Sequence, residues 1–186
     1  MTAVENRYRG QGLSLGVPQP SIDAGATAAL LARCPEAAQT PLHRADAIAT
    51  QAGVAQVWVK DERTRMGLGS FKALGAAYVI AHDACVDGLD MARRCYVTAS
   101  AGNHGLSVAA GARVFGARAV VYLADTVPES FAQRLRAQGA DVVRAGAIYE
   151  ESMAAASLAA LDNGWELLSD SSWAGYVEIP HRLMEG

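Results

Sequence analysis

The chain has 186 residues, 51% of them hydrophobic and 19% charged, with a formal net charge of −3. It is long enough to bury a core in one or two domains, and it lacks the basic field that a nucleic-acid or anionic-membrane partner requires. The three cysteines (Cys34, Cys85, Cys95) are widely spaced with no CxxC pair, which indicates neither a disulfide framework nor a metal site. The first residues show no hydrophobic signal core and no apolar run approaches a membrane span, so a cytoplasmic protein is the expectation.

Residues 1–24 carry Gly10, Gly12, Gly16, Pro18 and Pro20 without periodicity and read as an extended arm. A short apolar helix is expected over 26–33. Thr40-Pro41-Leu42 reads as a turn that places proline at a helix start, followed by a helix over 43–51 stopped by Gly53. Val54, Val57, Trp58 and Val59 predict a strand over 54–60, and Asp61 to Arg65 form a charged loop, in which Asp61 and Glu62, after a strand end, fit a functional role but read first as a solvated pair.

From Ser70 onward, helices and strands alternate. Helices are expected over 70–84, 105–115, 128–138 and 149–162, and strands over 95–99, 117–123, 141–144 and 165–168. A turn covers 100–104, a polar loop 169–178, and a last helix begins at 179. Pro128 stands at a helix start, while Gly116, Gly139 and Gly164 stand past helix ends. Strands separated by helices of this length imply an α/β fold, a three-layer parallel sheet with helices on both faces.

The chemistry concentrates in a few places. A glycine-bearing loop, Gly67-Leu68-Gly69, leads to Ser70, an N-cap residue type, and puts Lys72 in the first helical turn. The macrodipole is positive there, so an ammonium is disfavoured, which suits an amine nucleophile. A solvated surface lysine fits the same position. The turn Ser100-Ala101-Gly102-Asn103-His104-Gly105 follows a strand, where backbone amides and a helix dipole can hold an anion; a plain tight turn fits as well. It is neither a dinucleotide fingerprint nor a Walker loop. Asp170, after the last strand, stands as either an acid or base facing the same cleft or a loop residue bonded to nearby amides. His43, His82, His104 and His181 show no metal-like spacing.

Ser70-Phe71-Lys72 followed by Ser100-Ala101-Gly102-Asn103-His104-Gly105 resembles the fold-type II pyridoxal-phosphate enzymes, the group of the tryptophan synthase β chain, threonine synthase and the serine/threonine dehydratases. Lys60-Asp61-Glu62, the stretch from Gly67 to Gly75, and the segment from Ser169 through Trp173 to Pro180 are similar to the diaminopropionate ammonia-lyases in particular. The resemblance covers about residues 30–186. It implies a tryptophan synthase β-like fold and pyridoxal 5'-phosphate as cofactor, joined to Lys72 as a Schiff base. Asn103 would contact the cofactor's phenolic oxygen, and Ser100, Gly102, Asn103, His104 and Gly105 would bind the substrate carboxylate. Asp170 would assist proton transfer.

The implied reaction is α,β-elimination of 2,3-diaminopropionate to pyruvate and ammonia. A serine/threonine dehydratase, or a non-catalytic truncated or split-chain module, are the alternatives. The resemblance further implies a homodimer and a small amino-acid substrate. It also implies that residues 1–69 would pack on a larger C-terminal domain, that 70–180 form the α/β domain, and that 181–186 begin a helix beyond which the cofactor-phosphate domain is absent. Ala101 stands where some members carry an aspartate, and a methyl group cannot take a proton.

Overall fold

The computed structural model describes residues 19–186; most of the arm expected over 1–24 lies outside them. The first helix, α1 (Ala24–Leu31), starts two residues earlier than expected because the Asp23 carboxylate accepts from the amides of Gly25 and Ala26. Strand β1 (Leu42–Arg44) then precedes α2 (Asp46–Ala52), and β2 (Trp58–Lys60) pairs with β1 in antiparallel register, Leu42 opposite Lys60 and Arg44 opposite Trp58. This corrects the turn and helix start read at 40–43. Extended backbone before a proline suits a ribbon, and Pro41 still takes part through its carbonyl, which accepts from Asp61 N at 2.9 Å.

The main sheet follows. Helix α3 (Lys72–Cys85) leads to β3 (Cys95–Ala99), α4 (Asn103–Phe115), β4 (Arg118–Leu123), α5 (Glu129–Ala137), β5 (Asp141–Arg144), α6 (Tyr149–Asn163), β6 (Glu166–Leu167) and α7 (Glu178–Glu185). All strand pairs are parallel, in the order β5–β4–β3–β6. Alternate residues of each strand face opposite layers. Tyr96, Ala119, Val121 and Leu123 pack with Val79 and Ile80 of α3, Val108 of α4 and Leu135 of α5. Val97, Ala99 and Val120 pack with Ala156 and Ala160 of α6. The expected three-layer α/β fold is therefore present, and β3 is buried at every position.

The strand order places the site. From β3 the chain adds β4 and then β5 on one side, after which α6 crosses back so that β6 lies on the other flank of β3. The order reverses at β3. In open α/β sheets the crevice beyond the strand ends at such a reversal is where ligands bind. The turn after β3 and the loop after β6 form its two walls.

Candidate active site

Lys72 reaches this crevice from a loop tied at both ends. Ser70 Oγ accepts from Lys72 N at 3.3 Å and Ser70 O from Ala73 N at 3.1 Å, so Ser70 closes the first turn of α3 as its residue type predicts. The Lys72 ammonium is ion-paired with Asp170 Oδ2, across 98 positions of sequence. The lysine side chain is 43% exposed and the aspartate 30%. Burial pushes the Asp170 carboxyl up, but the Lys72 ammonium outweighs it and holds the carboxyl below the usual range. Asp170 is therefore ionised at neutral pH and answers the charge of an ammonium at a helix N-terminus.

The loop that presents Asp170 is built by Tyr176. Its hydroxyl donates to Leu167 O at 2.7 Å and accepts from Ser169 N at 2.9 Å, and its ring stacks on Trp173 with centroids 4.4 Å apart. Burial pushes this phenol up to about 12. Ser169 is fully buried and its Oγ accepts from Ser171 N. The polar segment after β6 is thus a fixed hairpin, pinned on both sides of Asp170.

His104 spans the crevice floor. It is 3% exposed, and its Nε2 lies 2.8 Å from Leu168 O, an acceptor only, so Nε2 carries the proton and donates. Burial holds the imidazole pKa below its usual value, so the ring is neutral around pH 7. This bond stitches the turn after β3 to the end of β6.

The turn itself differs from the expectation that Gly102 and Gly105 offer free amides. Ser100 Oγ accepts from both, at 3.3 and 3.1 Å. Gly105 is needed because a side chain there would meet Ser100 O at 2.9 Å. Helix α4 opens at Asn103, two residues before the position expected, so the amides of Asn103 and His104 lie in its first turn. Neither finds an acceptor among the described residues, and no hydrogen bond engages the Asn103 side-chain amide. The donors open to an anion are therefore Asn103 N, His104 N and the Asn103 side chain, backed by the α4 dipole.

Several groups were not legible from the sequence. Tyr149 opens α6, and burial, with the Asp170 charge adding, raises its phenol pKa. Glu62 is not a solvated acid: bonds from Arg65 and Thr40 hold it down at about 2. Asp61 is held well below the usual range by its bonds from Arg63. At the far end of α3, donor atoms of His82, Asp83 and Asp87 lie within 4.8 Å of one another. Asp83 there already accepts from Tyr96 at 2.6 Å and pairs with Arg182, which also reaches Asp87. An apolar cavity of about 640 Å³ between the segment after α1 and the α3–α4 groove is lined by none of Lys72, Asn103, His104 or Asp170. No described helix is long and apolar enough to cross a membrane.

The chain is also similar to known proteins in sequence and in fold. The family of pyridoxal-phosphate-dependent enzymes matches residues 34–185. The diaminopropionate ammonia-lyase of Salmonella typhimurium is 33% identical over 172 residues, covering 83% of this chain and 43% of that protein. The L-serine dehydratase/L-threonine deaminase of Mus musculus is 29% identical over 152 residues, 79% of this chain and 44% of its own length. The Escherichia coli diaminopropionate ammonia-lyase, crystallised in complex with an aminoacrylate-PLP azomethine reaction intermediate, superimposes with a TM-score of 0.80 at 30% identity, over 91% of this chain and 46% of that one. The chain thus spans less than half the length of these relatives. With the match running from before β1 into α7 and taking in Lys72, Asn103 and Asp170, the chain belongs to the pyridoxal-phosphate-dependent enzymes.

Proposed function

We propose that this chain carries the reactive-lysine half of a pyridoxal-phosphate-dependent lyase that eliminates ammonia from 2,3-diaminopropionate, the product then hydrolysing to pyruvate and a further ammonia. The observation that carries the reading is the Lys72–Asp170 pair at the point where the sheet order reverses. The residues fit the cofactor. An amine stands at the crevice, and the side chain of Asn103, at the start of α4, has no partner among the described residues and suits a phenolic oxygen. When bound, the cofactor ring supplies the electron sink for the carbanion formed at the substrate's α-carbon.

The chain's own groups would do the rest. The amides of Asn103 and His104 hold the substrate carboxylate against the α4 dipole. Asp170 would take the ammonium proton of Lys72, the freed amine would take the α-proton as a base, and Asp170 would return its proton to the β-nitrogen, which leaves as ammonia as the Cβ–N bond breaks. Neutral His104 keeps the two walls in register without adding a charge that would compete for the carboxylate.

In the same reading, the α/β unit over 70–180 pairs with a larger domain on which the earlier elements pack, and the complete enzyme is a homodimer. Leu42, Trp58 and Val59 on the ribbon are more than 40% exposed, as such packing needs. The test is turnover by the protein of D- and L-2,3-diaminopropionate, L-serine and L-threonine. Release of pyruvate from diaminopropionate, lost in Lys72→Ala, is expected. Faster turnover of L-threonine than of diaminopropionate would assign a dehydratase instead, and turnover of none a non-catalytic module.

A further inference from the structure

Arg65 touches none of the site residues, yet its surroundings are more fully built than those of any other cation described here. It is 8% exposed. Its Nε donates to Glu62 Oε2 at 2.6 Å, Nη2 to Glu62 Oε1 and Thr40 Oγ1, both at 2.8 Å, and Nη1 to Ala38 O at 2.8 Å. Thr40 Oγ1 in turn donates to Glu62 Oε1 at 2.6 Å. One planar guanidinium thus joins the segment before β1 to the loop after β2, a geometry that a lysine's single nitrogen does not reproduce.

What this anchors is the approach to Lys72. The Arg65 carbonyl accepts from the amides of Leu68 at 2.9 Å and Gly69 at 3.2 Å. Between them the chain passes through left-handed backbone, at Met66 with φ of 48° and at Gly67 with φ of 66°. Met66 is the one non-glycine residue with positive φ among those described. A left-handed methionine persists where its neighbours are fixed, and here the neighbour is the buried guanidinium. Gly69, also left-handed, hands the chain to Ser70, whose hydroxyl receives Lys72 N. The loop from the guanidinium to the Lys72 amide is thus held by hydrogen bonds at both ends, at the Arg65 carbonyl and at Ser70 Oγ.

We propose that Arg65 is a positioning residue that sets the place of Lys72 against Asp170, acting through the loop rather than at the site. This rests on the reading of Lys72 as the cofactor lysine, so the experiment separates the two. Lys60 and Lys72 are the chain's only lysines, which makes their modification readable by peptide mass spectrometry. Labelling with pyridoxal phosphate and borohydride tests the underlying reading: Lys72 is expected to react in preference to Lys60, and equal labelling sinks it. Acetylation rates across pH test Arg65.

In Arg65→Gln, and to a lesser degree in Thr40→Val, which leaves the Arg65–Glu62 pair intact, Lys72 is released from Asp170. It should then acetylate about two- to fivefold faster near neutral pH, the range set by loss of a partly exposed ion pair. Asp170→Asn should show the same acceleration, and adding Arg65→Gln to it should add nothing. A role confined to fold stability would lower the unfolding temperature while leaving the Lys72 profile at the wild-type curve. That outcome in Thr40→Val, or in Arg65→Gln if it folds, overturns the proposal and leaves the cofactor-lysine reading standing.

Discussion

Gly75→Ala reverses a familiar sign. In the middle of a helix this substitution ordinarily stabilises by up to about 1 kcal/mol, because alanine has less backbone entropy to lose. Here α7 crosses α3 at Gly75, and a methyl group there would meet Leu183 O at 2.5 Å, with the Leu183 carbonyl carbon at 3.3 Å. The obstruction is backbone, so no rotamer change relieves it. The separation must grow by nearly an ångström, and α7 is not free to drift. Arg182 bonds Asp83 of α3 at 3.4 Å, Glu185 accepts from Ser21 N at 2.8 Å, and Pro180 is buried. Overpacking costs about 1–3 kcal/mol; an obstruction by backbone belongs in the upper part, about 2–3 kcal/mol, leaving a net loss of about 1–2 kcal/mol once a helix gain of about 1 kcal/mol is subtracted.

For a chain of this length that is a fall of roughly 3–6 °C in unfolding temperature, read by circular dichroism with urea titration alongside. Gly111→Ala serves as the comparison. It is also inside a helix, but its added methyl meets Ile80 Cδ1 at 2.8 Å, the end of a side chain that can turn away. It should be near neutral. A Gly75→Ala protein as stable as wild type or more so would show that α7 does not hold α3 in this way, and with it that the first turn carrying Lys72 is not braced from that side.

Tyr176→Phe removes the bridge between Leu167 O and Ser169 N, leaving two backbone groups short of a partner; a loss of about 1–3 kcal/mol is expected in urea titration. Asp170 adds an acid-side dependence: its folded pKa lies below the ordinary 3.8, so its contribution is full above that value and is lost as pH falls through the folded one. Asp170→Asn should flatten the stability profile below pH 4, and an unchanged acid limb would rule the pair out as a stabilising contact. His104 stays neutral when folded but protonates when unfolded near 6.5, so wild-type stability should decline as pH falls below 6.5, and His104→Gln should lose that slope. Ala101 offers no acid or base, so turnover should favour one enantiomer of diaminopropionate; equal rates for both would place a second base elsewhere.

The alternation from Ser70 to Leu168 was readable because its punctuation is local. Gly116 and Gly164 adopt the left-handed backbone that ends a helix, and Pro128 directly precedes α5. The short apolar strands need no partner to be recognised, since burial on both faces leaves few polar residues in them. Leu42–Arg44 failed as a prediction for the opposite reason. Three residues form a strand only against Trp58–Lys60, and a proline beside them carries a stronger local signal for a helix start. Glu62 and Arg65 look like a solvated charge run in sequence; that they are the inside of a network depends on Ala38 and Thr40 folding back over them.

The site shows the same division at finer grain. Lys72 and Asp170 each have a bland local reading, a solvated lysine and a loop aspartate, and neither sequence neighbourhood shows that the two meet. Their pairing comes from topology. Once α6 carries the chain back across the sheet, β6 can lie only beside β3, and the residue after β6 must face the helix that begins with Lys72. A lysine at a positive helix terminus is then a liability that one carboxylate offsets. His104 secures the arrangement from below by bonding the Leu168 carbonyl, two residues before Asp170. The ion pair is therefore a consequence of strand order, and it stops at two partly exposed groups. Among the described residues no third charged group bonds to the pair: the wall beside it is a histidine kept neutral by burial and amides without an acceptor.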